Sequence, residues 1–193
     1  MEQRPGELRD EEVVQLTLTD PNQYGILMER YEAKLKRYIA RLGVRNLDDQ
    51  LDVLQEIFIK AYRNLNGFDT TLSFSSWMYR IAHNEAISFY RKKHVRPEGH
   101  LVSDGEEVLE FLSSKEAGPE VTFDQTVNAT ELAQALAAID EKYREPIILR
   151  FFEHKEYDEI SDILEIPIGS VGTLLHRGKK QLASVLNKDK LRI

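Results

Sequence analysis

The chain has 193 residues with 26 Lys plus Arg against 33 Asp plus Glu, is 41% hydrophobic and 31% charged, and contains no cysteine. Disulfide staples, thiolate zinc sites and cysteine nucleophiles are thereby excluded, and stability must come from packing, in one ordinary domain or two small ones. No apolar run approaches the roughly 20 residues that span a bilayer, and the opening MEQRPGELRDEEVV lacks the basic start and apolar core of a secretory leader, so a cytoplasmic location is expected.

In chain order, a short helix is expected around Asp10 to Leu18, with Val13, Val14 and Leu16 as its apolar residues. A longer one follows Asp20, a good N-cap, and Pro21, a good first helical residue. Its apolar positions Tyr24, Leu27, Met28, Tyr31, Leu35, Tyr38, Ile39 and Leu42 recur at helical spacing, and Gly43 is the expected stop. In LDDQLDVLQEIFIKAYRNL, Leu51, Leu54, Phe58, Ala61, Tyr62 and Leu65 form one helical face, and Asp52, Gln55, Glu56 and Lys60 the other. Gly67 ends this helix.

A fourth helix is predicted from Ser73, its N-cap, with Phe74, Trp77, Met78, Ile81 and Ala82 on the buried side. Its stretch WMYRIAHNEAISFYRKK interleaves aromatic rings with cations. Rings stack on unpaired bases at roughly 1–3 kcal/mol each while Arg and Lys follow phosphates, so this composition suits single-stranded nucleic acid. Core packing of Trp77 and Ile81, with a basic helix end favoured by the helix dipole, accounts for the same residues equally well.

Periodicity is then lost. Between Glu98 and Asp124 eight acids face the single base Lys115, a net −7 equal to the charge of the whole chain. The rest is therefore balanced, and local basic patches remain free to bind nucleic acid. This stretch reads as an acidic tether, with room for a short helix around Val108 to Leu112 but no structure forced onto it.

Helical pattern resumes near Asp124 with Leu132, Leu136 and Ile139, and continues through KYREPIILRFF, where Pro146 is placed in a first helical turn. The segment EYDEISDILEIPIGSVGTLLHRGKKQLASVL carries two helical patterns around a short break at Pro167: Ile160, Ile163 and Leu164, then Val171, Leu174, Leu175 and Leu182. A tight helix pair of this kind has helix-turn-helix geometry, whose second helix enters the DNA major groove. Ser170 and Thr173 are short hydrogen-bonding residues suited to base edges; His176, Arg177, Lys179 and Lys180 suit phosphates or bases. A packed helical hairpin with a solvated basic face is the competing reading. No repeat and no strand alternation is found, so the fold class is all-α.

Taken in order, LDVLQEIFIKAYRNLNGF, SFSSWMYRIAHNEAISFYRKK, the acidic tether and DEKYREPIILRFFEHKEYDEISDILEIPIGSVGTLLHRGKKQL resemble the extracytoplasmic-function (ECF) sigma factors of bacterial RNA polymerase. The resemblance implies two small helical domains joined by an acidic linker: sigma region two over 1–96, the linker over 97–123, and sigma region four with its helix-turn-helix over 124–193. It implies core polymerase binding by Asp52, Gln55 and Glu56 on the beta-prime coiled coil, with the beta flap as a further contact. Capture of the minus-ten strand falls to Trp77, Tyr79, Arg80, Asn84, Arg91 and Lys92, with Phe68, Asp69 and Ser73 in the loop that corresponds to a pocket for a flipped base. Minus-thirty-five reading falls to Tyr157, Ser170, Thr173, Leu174, His176, Arg177 and Lys180.

No enzymatic activity, cofactor or metal is implied, and an anti-sigma partner is. The sequence departs from the family at Ser88, where Asp is usual, and at Gly172 and Leu174, where Lys and Arg are usual. An atypical minus-thirty-five sequence is the expectation. Three rivals are weighed. His83, His94, His100, His154 and His176 are scattered, without the spacing of a metal or catalytic site, which disfavours an enzyme. The alternative function is a helix-turn-helix regulator that binds duplex DNA without joining the polymerase. The basic residues on both DNA helices weigh against an anti-sigma or adaptor protein.

Overall fold

The computed structural model describes residues 8–44, 46–94 and 129–190, with side chains described for 8–44, 46–93 and 134–186. Among the described residues there are eight α-helices and no strand: α1 Asp10–Thr19, α2 Tyr24–Arg41, α3 Leu47–Asn64, α4 Phe74–His94, α5 Ala129–Ala138, α6 Glu141–Phe151, α7 Tyr157–Leu164 and α8 Ile168–Lys190. The short helix weighed around Val108 to Leu112 and the side chain of Leu132 lie outside the described residues.

Helix ends follow local chemistry. In α1 the Glu12 carboxylate accepts the Arg9 N–H at 2.7 Å, and Asp10, Glu11 and Glu12 place negative charge at the positive end of the helix dipole. Asp20 caps a 3-10 turn, Pro21–Gln23, that leads into α2, rather than α2 itself. Gly43, at φ +110, turns the chain out of α2 in a conformation an L side chain rarely adopts. The Asn46 side chain accepts the N–H groups of Asp48 and Asp49 at 2.9 and 3.1 Å and starts α3. Ser73 caps α4 through Ser76 N at 3.3 Å, and Glu11 of α1 takes the Phe74 N–H at 3.0 Å, tying α1 to the start of α4.

Helices α1–α4 and α5–α8 make two groups whose buried side chains join in one hydrophobic cluster. In the first, Leu27, Tyr31, Leu35, Tyr38, Ile39, Ile57, Phe74 and Met78 are wholly buried; in the second, Ile147, Ile148, Leu149 and Ile160 are. The buried stripe of α3 is rotated relative to the face read from its sequence. Val53 and Ile57 turn inward with Leu54, Phe58 and Ala61, while Leu51 and Tyr62 are left 52% and 45% exposed.

Pro146 is a correction to the sequence reading. Because α6 starts at Glu141, the proline lies in its second turn, where its missing N–H cannot serve the Lys142 carbonyl. Its ring is buried, and packing offsets the lost bond. Gly178 allows close approach of α8 to α6: a methyl there would meet Ile147 Cδ1 at 2.7 Å and the Tyr143 carbonyl at 3.2 Å.

Candidate nucleic-acid interface

Helical spacing puts Trp77, Arg80, Asn84, Ser88 and Arg91 along one side of α4. Asn84, Ser88 and Arg91 are exposed, as is Lys92; Trp77 and Arg80 are half-buried. Trp77 is braced by Phe68 and Phe74, with ring centroids 5.1 and 5.6 Å away, so its position is fixed before any ligand arrives. Phe68 is itself buried and acts in the structure as that brace. Asp69 accepts the N–H and hydroxyl of Thr71 at 2.9 and 2.8 Å, which shapes the loop between α3 and α4 and holds its carboxyl below the usual range. Ser73 is exposed at the end of that loop.

Tyr79 belongs to a different side of α4. It is 3% exposed, its hydroxyl donates to Glu153 Oε2 at 2.7 Å, and the Lys155 ammonium lies 4.7 Å from its ring centre. Burial, with the Glu153 carboxylate next to it, pushes the phenol well above its ordinary range. In this arrangement Tyr79 offers no surface to a strand.

The helix pair α7 and α8 is joined by Glu165–Pro167. Glu165 takes the left-handed conformation at φ +54, Ser161 Oγ donates to the Ile166 carbonyl at 2.6 Å, and the Pro167 carbonyl receives the Ser170 N–H at 2.8 Å. Thr173, His176, Arg177 and Lys180 are exposed on one face of α8, with Ser170 half-buried at its start and Leu174 half-buried beside it. Tyr157, 44% exposed, stands against that start: a methyl at Gly172 would lie 3.6 Å from its ring, and the Arg150 guanidinium is 5.6 Å from its ring centre. A small residue at 172 thus leaves room for an aromatic ring where a longer side chain would project.

On the first body, Asp52, Gln55 and Glu56 are all exposed on α3. Of the three, Gln55 lines an open apolar groove of about 480 Å³ between α2 and α3, together with Met28, Leu51, Leu54, Phe58 and Tyr62. Leu51 and Tyr62, read from the sequence as core, are its walls.

No motif in the sequence marks the polar cluster where α7 and the loop before it lie on α4. Arg41 pairs with Glu153 at 2.6 Å, and their side chains are 12% and 4% exposed. Lys155, 5% exposed, donates to Ser75 Oγ at 2.6 Å and to Glu159 Oε1 at 3.0 Å; Ser76 Oγ donates to the same carboxylate oxygen at 3.2 Å. Burial works to raise the Glu159 carboxyl, but the Glu156 N–H and the Lys155 ammonium hold it below its ordinary value. His83 of α4 lies 4.0 Å from Glu145 of α6. Burial pushes His83 down to about 4 and Glu145 up to about 7. These residues are far apart in sequence and none follows a motif, so no local signal could have grouped them.

The two bodies coincide with two known families: residues 27–96 match Sigma-70 region 2 and residues 129–182 match Sigma-70, region 4. Among characterised relatives, the ECF RNA polymerase sigma factor SigW of Bacillus subtilis is 32% identical over 179 residues, covering 90% of this chain and 94% of SigW. The ECF RNA polymerase sigma-E factor of Escherichia coli is 29% identical over 168 residues, covering 84% and 86%. In fold the chain is similar to CnrH, solved in complex with the cytosolic domain of CnrY, with TM-score 0.69, 20% identity and 93% and 98% coverage. It is also similar to RpoE of Bartonella quintana, solved with the anti-sigma factor NepR, with TM-score 0.62, 20% identity and 83% and 94% coverage. The chain belongs to the ECF sigma factors of RNA polymerase.

Proposed function

We propose that this sigma factor docks on core polymerase through the exposed side of α3, captures the minus-ten strand on α4 and reads the minus-thirty-five element with α8, with domains divided near residues 96 and 124. The observation that carries this reading is a pair of polar and basic faces, half-buried Trp77 and Arg80 with exposed Asn84 and Arg91 on α4, and exposed Thr173, His176, Arg177 and Lys180 on α8, borne by two groups of helices. Opening a duplex costs on the order of 1–2 kcal/mol per step, and a braced Trp77 beside cations offsets that cost by holding unstacked bases. Gln55 lines an apolar groove on the helix that also exposes Asp52 and Glu56, which combines charge with burial as docking on a helical partner requires.

The polymerase supplies the chemistry and its magnesium; this chain supplies recognition and is not itself an enzyme. It works in the cytoplasm, and among the described residues no helix is long and apolar enough to cross a membrane. An anti-sigma partner is supported by the family resemblance and by the similar fold of RpoE of Bartonella quintana, solved with the anti-sigma factor NepR. Tyr157, seated over Gly172, supports an atypical minus-thirty-five sequence.

The test is transcription from a randomised-promoter library by core polymerase, with and without the protein, followed by sequencing of the transcripts. Protein-dependent transcripts sharing two spaced elements are expected, with alanine substitution of Arg177 or Thr173 relaxing one element and of Arg80 or Asn84 weakening the other. Duplex binding by the protein alone, without dependent transcripts, would instead favour an ordinary helix-turn-helix regulator.

A further inference from the structure

The start of α4 is held from outside the helix. The first amides of any helix find no acceptor within it. Ser73, just ahead of α4, takes the Ser76 N–H, while the Phe74 N–H goes to Glu11 Oε1 of α1, 63 positions away. Glu11 is half-buried, and its carboxylate stands at the positive end of the α4 dipole. Its neighbour Asp10 accepts the Tyr31 hydroxyl at 2.5 Å and the Arg30 guanidinium at 2.6 Å, which fixes the first turn of α1 on α2. Val13 and Val14 are wholly buried one turn further on, so Glu11 reaches α4 from an anchored support.

Phe74 is the ring from which the strand-capturing side takes its position. It is wholly buried, edge-on to Tyr31 and Phe68 at ring-centre distances of 5.6 and 5.4 Å, and tilted against Trp77 at 5.6 Å. Phe68, at the head of loop 68–73, braces Trp77 in turn at 5.1 Å. A shift of the Phe74 backbone is therefore passed to Trp77 and to the loop. Helix α1 lies ahead of residues 27–96, the span that matches Sigma-70 region 2.

We propose that Glu11 is a positioning residue for strand capture: through the Phe74 N–H it sets the start of α4, and with it the placement of Trp77 and loop 68–73 against an unpaired strand. The inference rests on reading α4 as the strand-capturing helix. What the position requires is an acceptor at the right reach. Glutamine keeps that oxygen, aspartate keeps the charge but is one methylene shorter, and alanine keeps neither. Without the bond only part of the chains hold the capture geometry, and apparent affinity falls by that fraction, about tenfold for one lost helix-end acceptor.

The test uses the full chain assembled with core polymerase and a promoter recovered from the randomised library, in two forms. One is pre-melted, with the minus-ten strand unpaired; the other is a duplex carrying the minus-thirty-five element alone. Glu11→Ala and Glu11→Asp are expected to bind the pre-melted form about tenfold more weakly, and Glu11→Gln to bind it as the wild type does. All three should assemble with polymerase and bind the duplex form unchanged. Trp77 is the sole tryptophan, so its fluorescence in the free chain reports its placement directly. The emission should shift to longer wavelength in Glu11→Ala and Glu11→Asp and stay in place in Glu11→Gln.

Alanine and aspartate variants that capture the unpaired strand as the wild type does overturn the positioning role. Equal losses of strand capture and duplex binding overturn it as well, because the bond would then support the fold as a whole. A glutamine variant as weak as alanine overturns the acceptor argument. Arg80→Ala and Asn84→Ala chains that still capture the unpaired strand overturn instead the reading of α4 on which the inference rests.

Discussion

Two sides of α4 carry similar residue types and meet opposite fates. Trp77, Arg80, Asn84 and Arg91 run along the more open side, while Ser75, Ser76, Tyr79 and His83 meet α7, the loop before it and Glu145 of α6. Tyr79 and Arg80 are neighbours in sequence and both suit a nucleic-acid surface by composition. A helix separates adjacent residues by about 100°, so one residue of offset decides between solvent and a domain contact. Aromatic and basic composition is therefore evidence about a helix, and helical phase is evidence about a residue.

The widest separation of the two sides is expected from Trp77→Ala. It removes a braced ring from the open side and should cost about 3 kcal/mol of stability, less if the site collapses, together with most of the strand capture. Thermal unfolding and open-complex formation on a pre-melted promoter would measure the two losses. Next, Tyr79→Phe keeps the ring and removes one donor from buried Glu153. The contact between α4 and the loop before α7 should weaken by about 1–3 kcal/mol, read by thermal unfolding, with capture of an already unpaired strand unchanged. An equal loss of strand capture from both substitutions would erase the distinction between the sides.

Acid–base behaviour sharpens the comparison further. Glu145, raised to about 7 by burial with Glu141 adding to the effect and Arg144 and Arg91 opposing it, favours the contact while protonated; this contribution is whole below about 4.5 and is lost as pH rises through about 7. His83, lowered to about 4 by burial with Arg91 adding to the effect and Glu165 opposing it, works the other way. Its contribution is whole above 6.5 and is lost as pH falls through about 4. Tyr38, whose hydroxyl lies 3.4 Å from His83 Nδ1, stays protonated throughout.

The opposed slopes should leave the wild-type contact nearly flat between these limits. Glu145→Gln should remove one of them, giving a contact that strengthens from pH 4 to 6.5 and exceeds the wild type at pH 8 by on the order of 2 kcal/mol. Thermal stability against pH is the measurement, and a wild-type profile as steep as the variant's would refute the compensation. The smallest effect is expected from Ser88→Asp, which adds one exposed acid to the open stripe: strand affinity should fall by less than about 1 kcal/mol, and the difference should shrink with added salt.

Most of the helical architecture is written locally. Apolar spacing places α1 to α4 close to their observed ends, and the break at Pro167 with the left-handed Glu165 sets α7 against α8. The residue types for strand capture and duplex reading are likewise legible, because short polar and cationic side chains at helical spacing have few other uses on an exposed face. Pro146 shows the limit of such reading, since a proline marks a first turn only when the helix start is known.

Tertiary structure alone decided which apolar residues of α3 became core and which became groove wall, because Val53 and Ile57 are claimed by neighbouring helices while Leu51 and Tyr62 are not. It decided that Gly178 is a packing requirement, since only the approach of α6 makes a methyl too large. It also decided that Arg41, Glu153, Lys155 and Glu159 act together. A helix is specified by neighbours three and four residues away, so sequence pattern carries it; a contact between residues more than a hundred positions apart exists only once two bodies meet, and nothing local to either one records it.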